Sequence, residues 1–451
     1  MDFITNIVNT VNGVLWDRNL LLVLLVGSGA FFTIRLRFIQ IRKFGSGWKR
    51  LFGNFSLKGA KAGAEGMSAF QALTTAVAAQ VGTGNIAGAA TALAAGGPGA
   101  IFWMWVSAFF GMSTIYSEAV LAQTFKTTGA DGAVTGGPIY YIRAAFKGRF
   151  GKILAGFFSV AIILALGFMG NMVQSNSIGA SFQNAFGIHP LIVGVFVAAL
   201  AAFIFLGGVK RIAAFTEKII PLMAALYIVG CVTILCINHA NLLKSCQQIF
   251  VLAFDPQAMA GGVAGVTIQK AMRFGVARGL FSNEAGMGST PHAHALAKVK
   301  QPSDQGELAM MGVFIDTFVI LTLTALVIIS SDALSTGETG STLAQIAFNA
   351  AFGSFGNIFI AVCMFFFAFS TIVSWYFFGE TNVKALFGQK GVIIYAVMVV
   401  IFIATGSVLK VDLVWNMADM FNGLMVIPNL IALLALSGIV VKTMHGQDKV
   451  Q

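Results

Sequence analysis

Charged residues are scarce in this sequence: 10% of its 451 positions are Asp, Glu, Lys or Arg, against about 25% in soluble domains. Apolar residues fill 57% of the chain. That balance excludes a water-soluble globule, and the short loops leave no room for a soluble catalytic domain. Histidine occurs 5 times and cysteine 4 times, and Cys231, Cys236, Cys246 and Cys363 show no CxxC or other ligand spacing. A disulfide framework is not implied, and the cysteines read as small buried hydrophobes. An enzyme working inside a membrane would need a nucleophile–base pair or metal ligands at depth, and no histidine is placed for either. The apolar runs are continuous and lack strict alternation, which excludes a β-barrel. A channel would want a continuous polar lining, whereas the runs carry isolated polar points. A basic n-region is also missing, since Asp2, Asp17 and Arg18 precede the first apolar run. That run is therefore read as a retained span rather than a signal peptide.

What remains is an all-α polytopic membrane protein. The apolar periodicity predicts eleven spans, at 14–36, 67–97, 98–125, 153–184, 189–208, 212–238, 264–296, 306–331, 355–379, 391–408 and 412–441. Each is long enough to cross a hydrocarbon layer about 30 Å thick. The stretch between Asn238 and Gly265 reads as an outer loop with short amphipathic pieces. The net charge of +11 is a matter of topology and does not point to nucleic acid. Arg35, Arg37, Arg42, Lys43, Lys49, Arg50, Lys58 and Lys61 follow the first span, and Arg143, Lys147, Arg149 and Lys152 follow the third. Lys210, Arg211, Lys298, Lys300, Lys384, Lys390, Lys442 and Lys449 fall on the same side, leaving Lys244 and Lys410 opposite. The positive-inside rule then places the N-terminus outside and the tail in the cytoplasm.

Two spans carry segments that a plain lipid-facing helix would avoid. The second contains Gln80-Val-Gly-Thr-Gly-Asn85, with Gly82 and Gly84 near its middle. The seventh contains Arg278-Gly-Leu-Phe-Ser-Asn-Glu-Ala-Gly-Met-Gly-Ser-Thr-Pro291. Unwinding at such points frees backbone N–H and C=O groups that need partners. A half-helix that starts at the break offers its positive end to a carboxylate, and the freed carbonyls suit a cation or an ammonium. With 14–36 set aside as an additional N-terminal helix, the breaks open two five-helix units, 67–238 and 264–441. An odd number of spans per unit makes the second inverted relative to the first, and matched breaks in two repeats are the mark of a transporter site.

Four strings carry a resemblance: VGTGNIAGAATALAAGGPGAIFWMW at 81–105, TGGPIYYI at 135–142, GLFSNEAGMGSTP at 279–291 and GVFIDT at 312–317. Through them nearly the whole chain resembles the alanine or glycine:cation symporter family. The resemblance implies sodium-coupled uptake of alanine or glycine by alternating access, on a leucine-transporter-type five-plus-five inverted repeat with one additional N-terminal helix. It implies no cofactor beyond the coupling ion. A prokaryotic plasma membrane and a monomer are the matching expectations for location and assembly.

On that frame the substrate carboxylate is expected at the N–H groups of Thr83, Gly84 and Asn85. The ammonium is expected at carbonyls near Phe281 and Ser282, with Asn283 as a side-chain partner. Gln174, a mid-span amide, either touches substrate or hydrogen-bonds another helix. In this fold adjacent hydroxyls on the eighth core helix meet sodium, so Ser370 and Thr371 are assigned to the ion with the carbonyls of Ala78 and Val81. The alternative for those hydroxyls is a bond to their own helix backbone. Thr371 and Trp375 lie at i, i+4 and share a face, so Trp375 can cap a pocket too short for large side chains. Arg278 and Glu284 adjoin the second break as a gate or coupling pair, or as groups that hold its backbone. Glu118, Asp316 and Asp419 are further intramembrane acids, with contacts inside the bundle as the expectation for the last two. His292 and His294 lack the additional ligands of a metal site. A short half-buried helix is expected at 343–352, which in this fold can serve as an outer lid, with loop filling as the alternative. Proton coupling through Glu284 or Glu118 is the rival to sodium.

Overall fold

A computed structural model of the protein describes residues 2–53, 66–129, 132–255 and 267–446. Lys58, Lys61 and Lys449, and the start of the seventh expected span at 264–266, lie outside the described residues. The described residues are helical apart from two short strand pairs and the connecting turns. Among the described residues, seven helices are long and apolar enough to cross a membrane: Thr5–Arg35, Gly99–Thr124, Gly148–Phe186, Gly208–Ile237, Pro302–Ser330, Phe355–Gly406 and Val414–Ala435.

The other expected spans have a visible reason for differing. Pro190–Phe205 is only 16 residues long. The spans expected at 355–379 and 391–408 run together as Phe355–Gly406, where only Gly388, at φ 70°, departs from helical geometry. The spans at 67–97 and 264–296 are interrupted. The first consists of Ala69–Gln80, a break, a π-helical turn Gly84–Gly88 and then Ala89–Gly96. The second consists of Ile268–Asn283, a non-helical stretch and the short Pro291–Ala295.

A helix over Asp2–Asn12 precedes the first expected span. Its scattered polar residues hide it from a search for continuous apolar runs. It docks through side chains, with Asn12 Nδ2 donating to the Asn416 carbonyl (2.8 Å) and Trp16 Nε1 donating to the Asp419 carbonyl (3.2 Å). Asp17 pairs with Arg273 at 2.6 Å, so the N-terminal segment touches both the last long helix and the second broken helix. The ambiguous outer stretch contains a helix, His239–Val251. The expected lid is the helix Gly340–Phe352, pinned by Gln345 Nε2 on the Ser181 carbonyl (3.0 Å). The cysteines divide, for Cys231 and Cys363 are buried while Cys236 is exposed at the end of its helix.

Two features place the breaks relative to one another. The start of the first broken helix is joined to the segment after the second by a parallel strand pair, Met67 opposite Ala297 and Ser68 opposite Lys298. Ser68 also caps Ala69–Gln80 through a reciprocal box with Gln71, which satisfies N–H groups that a helix start leaves open. The second feature is a set of π-helical turns at Gly84–Gly88, Ile163–Gly170 and Phe314–Leu321. Such turns widen a helix locally and gather at functional sites. Here each lies within one turn of a polar residue that faces a break.

Candidate functional site

The first break begins where Val81 leaves helical geometry (φ −80°, ψ 86°). Its freed amides are taken up by side chains. Gly82 N–H donates to Asn85 Oδ1 at 3.0 Å and Thr83 N–H to Gln174 Oε1 at 3.1 Å. Gln174 is therefore a partner of the broken backbone across the bundle. The hydroxyl of Thr83 and the Nε2 of Gln174 are fully buried and have no partner among the described residues. Buried donors left open in this way are costly, and a carboxylate between them would accept from both. Gly82 has no room for a side chain, because a Cβ there would lie 2.3 Å from Thr371 Oγ1 and 3.2 Å from Gln174 Oε1. Gly82→Ala is expected to leave the helices folded, by circular dichroism in detergent, and to lower substrate uptake by at least about tenfold through displacement of one of these groups.

The second break is held more elaborately. Glu284 sits at φ 57°, and Gly286 and Gly288 have φ of 93° and 78°, values that glycine adopts without strain. Asn283 closes the preceding helix, its Oδ1 accepting from the Ala285 N–H at 3.1 Å and its Nδ2 donating to Thr317 Oγ1 at 3.2 Å. Its side chain is thus engaged in holding the break. Glu118, on Gly99–Thr124, accepts from the N–H groups of Gly286 (3.2 Å) and Gly288 (2.9 Å) and from Asn429 Nδ2 (2.6 Å). Asn429 in turn donates to the Gly286 carbonyl at 2.9 Å and accepts from the Tyr141 hydroxyl. Asn429 and Tyr141 were not anticipated. The signal for Asn429 was available, as a lone amide in an apolar run beside Pro428.

Two side chains tie the breaks together. Gln80 Nε2 donates to the Asn283 carbonyl at 2.8 Å. Asp316 is the larger junction and makes the bundle contact expected of it. Its carboxylate accepts from Asn85 Nδ2 (2.7 Å), Ser282 Oγ (2.9 and 3.1 Å) and Thr317 Oγ1 (2.8 Å). All four residues are buried, and no basic side chain pairs with Asp316 among the described residues.

Opposite the first break, Thr371 Oγ1 donates to the Ala78 carbonyl at 2.8 Å, and Phe367's carbonyl is 3.0 Å away. Ser370 instead directs its hydroxyl to the Phe367 carbonyl (2.9 Å), beside Met223 Sδ (3.7 Å). One turn beyond Thr371, Trp375 donates its indole N–H to Glu284 Oε1, while Ser289 donates to Glu284 Oε2. Phe281 meets Trp375 edge-on at 5.4 Å and lies 4.6 Å from the Trp415 ring. Thr83, Gln174 and Thr371 thus gather at the first break, and Ser282, Phe281 and Trp375 at the second, all of them buried.

Arg278 and Glu284, expected as a pair, have separate partners. Arg278 makes a bidentate pair with Asp419 (2.8 and 2.6 Å) and lies 4.4 Å over the Trp415 ring. Both charged groups are nearly buried, so each depends on the other. His292 and His294 likewise part company, the first meeting Asn382 (2.8 Å) and the second Gln305 (2.8 Å).

Known proteins match this arrangement at two levels. A sequence profile described as the sodium:alanine symporter family matches residues 1–450. The sodium/alanine symporter AgcS of Methanococcus maripaludis is 43% identical, covering 100% of this chain and 98% of its own. The probable sodium/glutamine symporter GlnT of Bacillus subtilis is 41% identical over 96% of this chain and 89% of its own. A putative sodium/proton-dependent alanine carrier, YrbD of the same species, is 39% identical over 95% and 90%. Among solved structures, MhsT in complex with L-phenylalanine superposes with a TM-score of 0.57 at 13% identity, over 84% of this chain and 98% of that one. A manganese transporter of Eremococcus coleocola gives 0.52 at 12% identity, over 83% and 78%. These two likenesses speak for the leucine-transporter-type fold alone.

Proposed function

The chain belongs to the sodium:alanine symporter family and is a transporter rather than an enzyme; from that premise we propose that it carries a small neutral amino acid, alanine or glycine, into the cell together with sodium. The observation that carries the reading is the pair of open buried donors at the first break, Thr83 Oγ1 and Gln174 Nε2. They lie across from a hydroxyl already seated on a freed carbonyl, that of Thr371 on Ala78. The substrate carboxylate binds at the Thr83 hydroxyl and Gln174 Nε2, beside Gly84 and Asn85, because the N–H groups of Thr83 and Asn85 are already engaged by Gln174 Oε1 and the Gly82 carbonyl. The ammonium binds at the Phe281 and Ser282 end of the second break, and Phe281 and Trp375 limit the side chain. Sodium sits among the carbonyls of Ala78 and Val81 and the hydroxyls of Thr371 and Ser370. Thr371 contributes more of the two, because Ser370 must first turn from Phe367. Hard cations favour such all-oxygen sets.

The wider reading has the N-terminus outside, the tail in the cytoplasm and a prokaryotic plasma membrane around a single chain. Its two inverted units are 67–238 and 264–441, preceded by an additional N-terminal helix. One sodium ion entering down about 120 mV gains roughly 2.8 kcal/mol, and a tenfold gradient contributes about 1.4 kcal/mol more. Together these support roughly a thousandfold accumulation of a net-neutral substrate, so one ion per substrate is sufficient. A second reading, proton coupling, is favoured by one observation: the Asp316 carboxylate joins both breaks without a cationic partner among the described residues.

Radiolabelled alanine uptake into proteoliposomes, first with an inward sodium gradient and then with potassium in its place at fixed pH, separates the two. Accumulation only with sodium is the expected result. Equal uptake in both salts, driven by a pH gradient, would transfer the coupling role to Asp316 and a proton.

A further inference from the structure

Resting on the reading of Trp375 as a wall of the substrate site, we propose that Glu284 is a positioning residue that sets the upper size limit of the substrate side chain by fixing the indole of Trp375. Glu284 closes the first half of the second broken helix and holds two groups at once, the Trp375 indole N–H on one carboxyl oxygen and the Ser289 hydroxyl on the other. Its side chain is fully buried, and no basic group pairs with it among the described residues.

Two further contacts of Trp375 are apolar. Phe281 stands edge-on at 5.4 Å and 88°. On the other side the ring lies against Gly170, whose backbone passes so close that a Cβ would come within 2.4 Å of Trp375 Cζ3. Neither contact offers the indole N–H a hydrogen-bond partner. The bond to Glu284 is the one directional contact that selects a single orientation, because a buried indole N–H seeks a partner. Trp375 stands one helical turn from Thr371, and Gly170, against which its ring lies, stands one turn from Gln174, so the ring borders the region proposed for the substrate. Turning the ring away would enlarge that region without removing any atom from it.

The chain of bonds also explains why a carboxylate stands at a left-handed position, φ 57°. Asparagine or glycine would meet the backbone requirement more easily, but neither reaches both Trp375 and Ser289. Glutamine reaches both: its Oε1 accepts from the indole and its Nε2 donates to the Ser289 hydroxyl, which accepts as readily as it donates.

The test compares uptake of alanine with uptake of valine and methionine, as KM and maximal rate, for the wild type, Glu284→Ala, Glu284→Gln, Trp375→Phe and the double variant Glu284→Ala/Trp375→Phe. Trp375→Phe releases the bond from the other end, leaving Glu284 in place. Glu284→Ala and Trp375→Phe should each narrow the preference for alanine by about tenfold, the size of a single-methylene discrimination. Glu284→Gln should keep the wild-type ranking, and the double variant should be no more permissive than Trp375→Phe alone. Uniform loss of uptake for every substrate in Glu284→Ala, additive effects in the double variant, or loss of ranking in Glu284→Gln would overturn the proposal. If Glu284→Ala does not fold, an unchanged ranking in Trp375→Phe overturns it equally. A wild type that takes up none of these amino acids would instead sink the reading of the site itself.

Discussion

Thr371→Ala is expected to abolish sodium-dependent accumulation of alanine while leaving the protein folded. The Thr371 hydroxyl reaches across from another helix and already sits on a carbonyl of the first broken helix, 2.8 Å from Ala78 O. Removing it deprives the proposed ion of a ligand and leaves the Ala78 carbonyl without that donor. A hydrogen bond or ligand contact to a charged group contributes about 1.5–3 kcal/mol, so sodium affinity should fall by roughly 10- to 150-fold. At sodium concentrations near the wild-type KM, uptake then drops to background. Thr371→Ser keeps the oxygen and should keep most of the activity. Ser370→Ala should weaken sodium less, since that hydroxyl bonds Phe367 in its own helix. Sodium titration of uptake checks all three, and an unchanged sodium KM in Thr371→Ala would remove Thr371 from the ion site.

Glu118→Ala is expected to have the largest effect on stability. Its carboxylate accepts from Gly286 N–H, Gly288 N–H and Asn429 Nδ2, and alanine would leave the two backbone N–H groups buried and unpaired and Asn429 Nδ2 with only its bond to the Gly286 carbonyl. Each such group costs about 1–3 kcal/mol, and because they share one partner the costs do not simply add. A loss of roughly 3–6 kcal/mol is the result, a large part of the total stability of an ordinary protein. Thermal unfolding in detergent should show a markedly lower midpoint, with uptake lost in parallel because the second break is no longer held. Glu118→Gln retains one accepting oxygen and should fall between. A wild-type midpoint in Glu118→Ala would mean that the unwound segment is held by Asn429 alone.

Much of this site was legible in the residues, and what was hidden shares a physical cause. Glycines two apart in an apolar run, at 82 and 84, marked the first break, because a span that loses helix geometry in lipid needs such a reason. Gly286 and Gly288 marked the second in the same way. Gln174 stood out as a buried amide, and the structure gives it a partner in Thr83 N–H. The partners themselves were hidden. Arg278 closely precedes Glu284 in the chain, yet it reaches Asp419, a residue 141 positions away. Glu118 and Asn429 are 311 positions apart. Chain proximity is a poor guide to pairing when helices cross a bilayer and return. The N-terminal helix Asp2–Asn12 was hidden for a different reason, because it is amphipathic rather than continuously apolar. Pro190–Phe205, at 16 residues, was legible as a span although it is short of the length that usually crosses a bilayer without tilt or thinning.

The junction between the two broken helices has a consequence of its own. Met67 and Ser68 pair with Ala297 and Lys298 through their main chains, and Met67 N–H donates to the Leu296 carbonyl at 2.8 Å. Gln123 adds a side-chain clasp on the Ala297 carbonyl at 2.9 Å. This latch is therefore spelled in backbone. The strand pairing itself uses no side chain at its four positions, whereas proline at position 67, which has no N–H, would unfasten it. The two helix ends that meet there are fastened to each other, so a displacement of either pulls on the other.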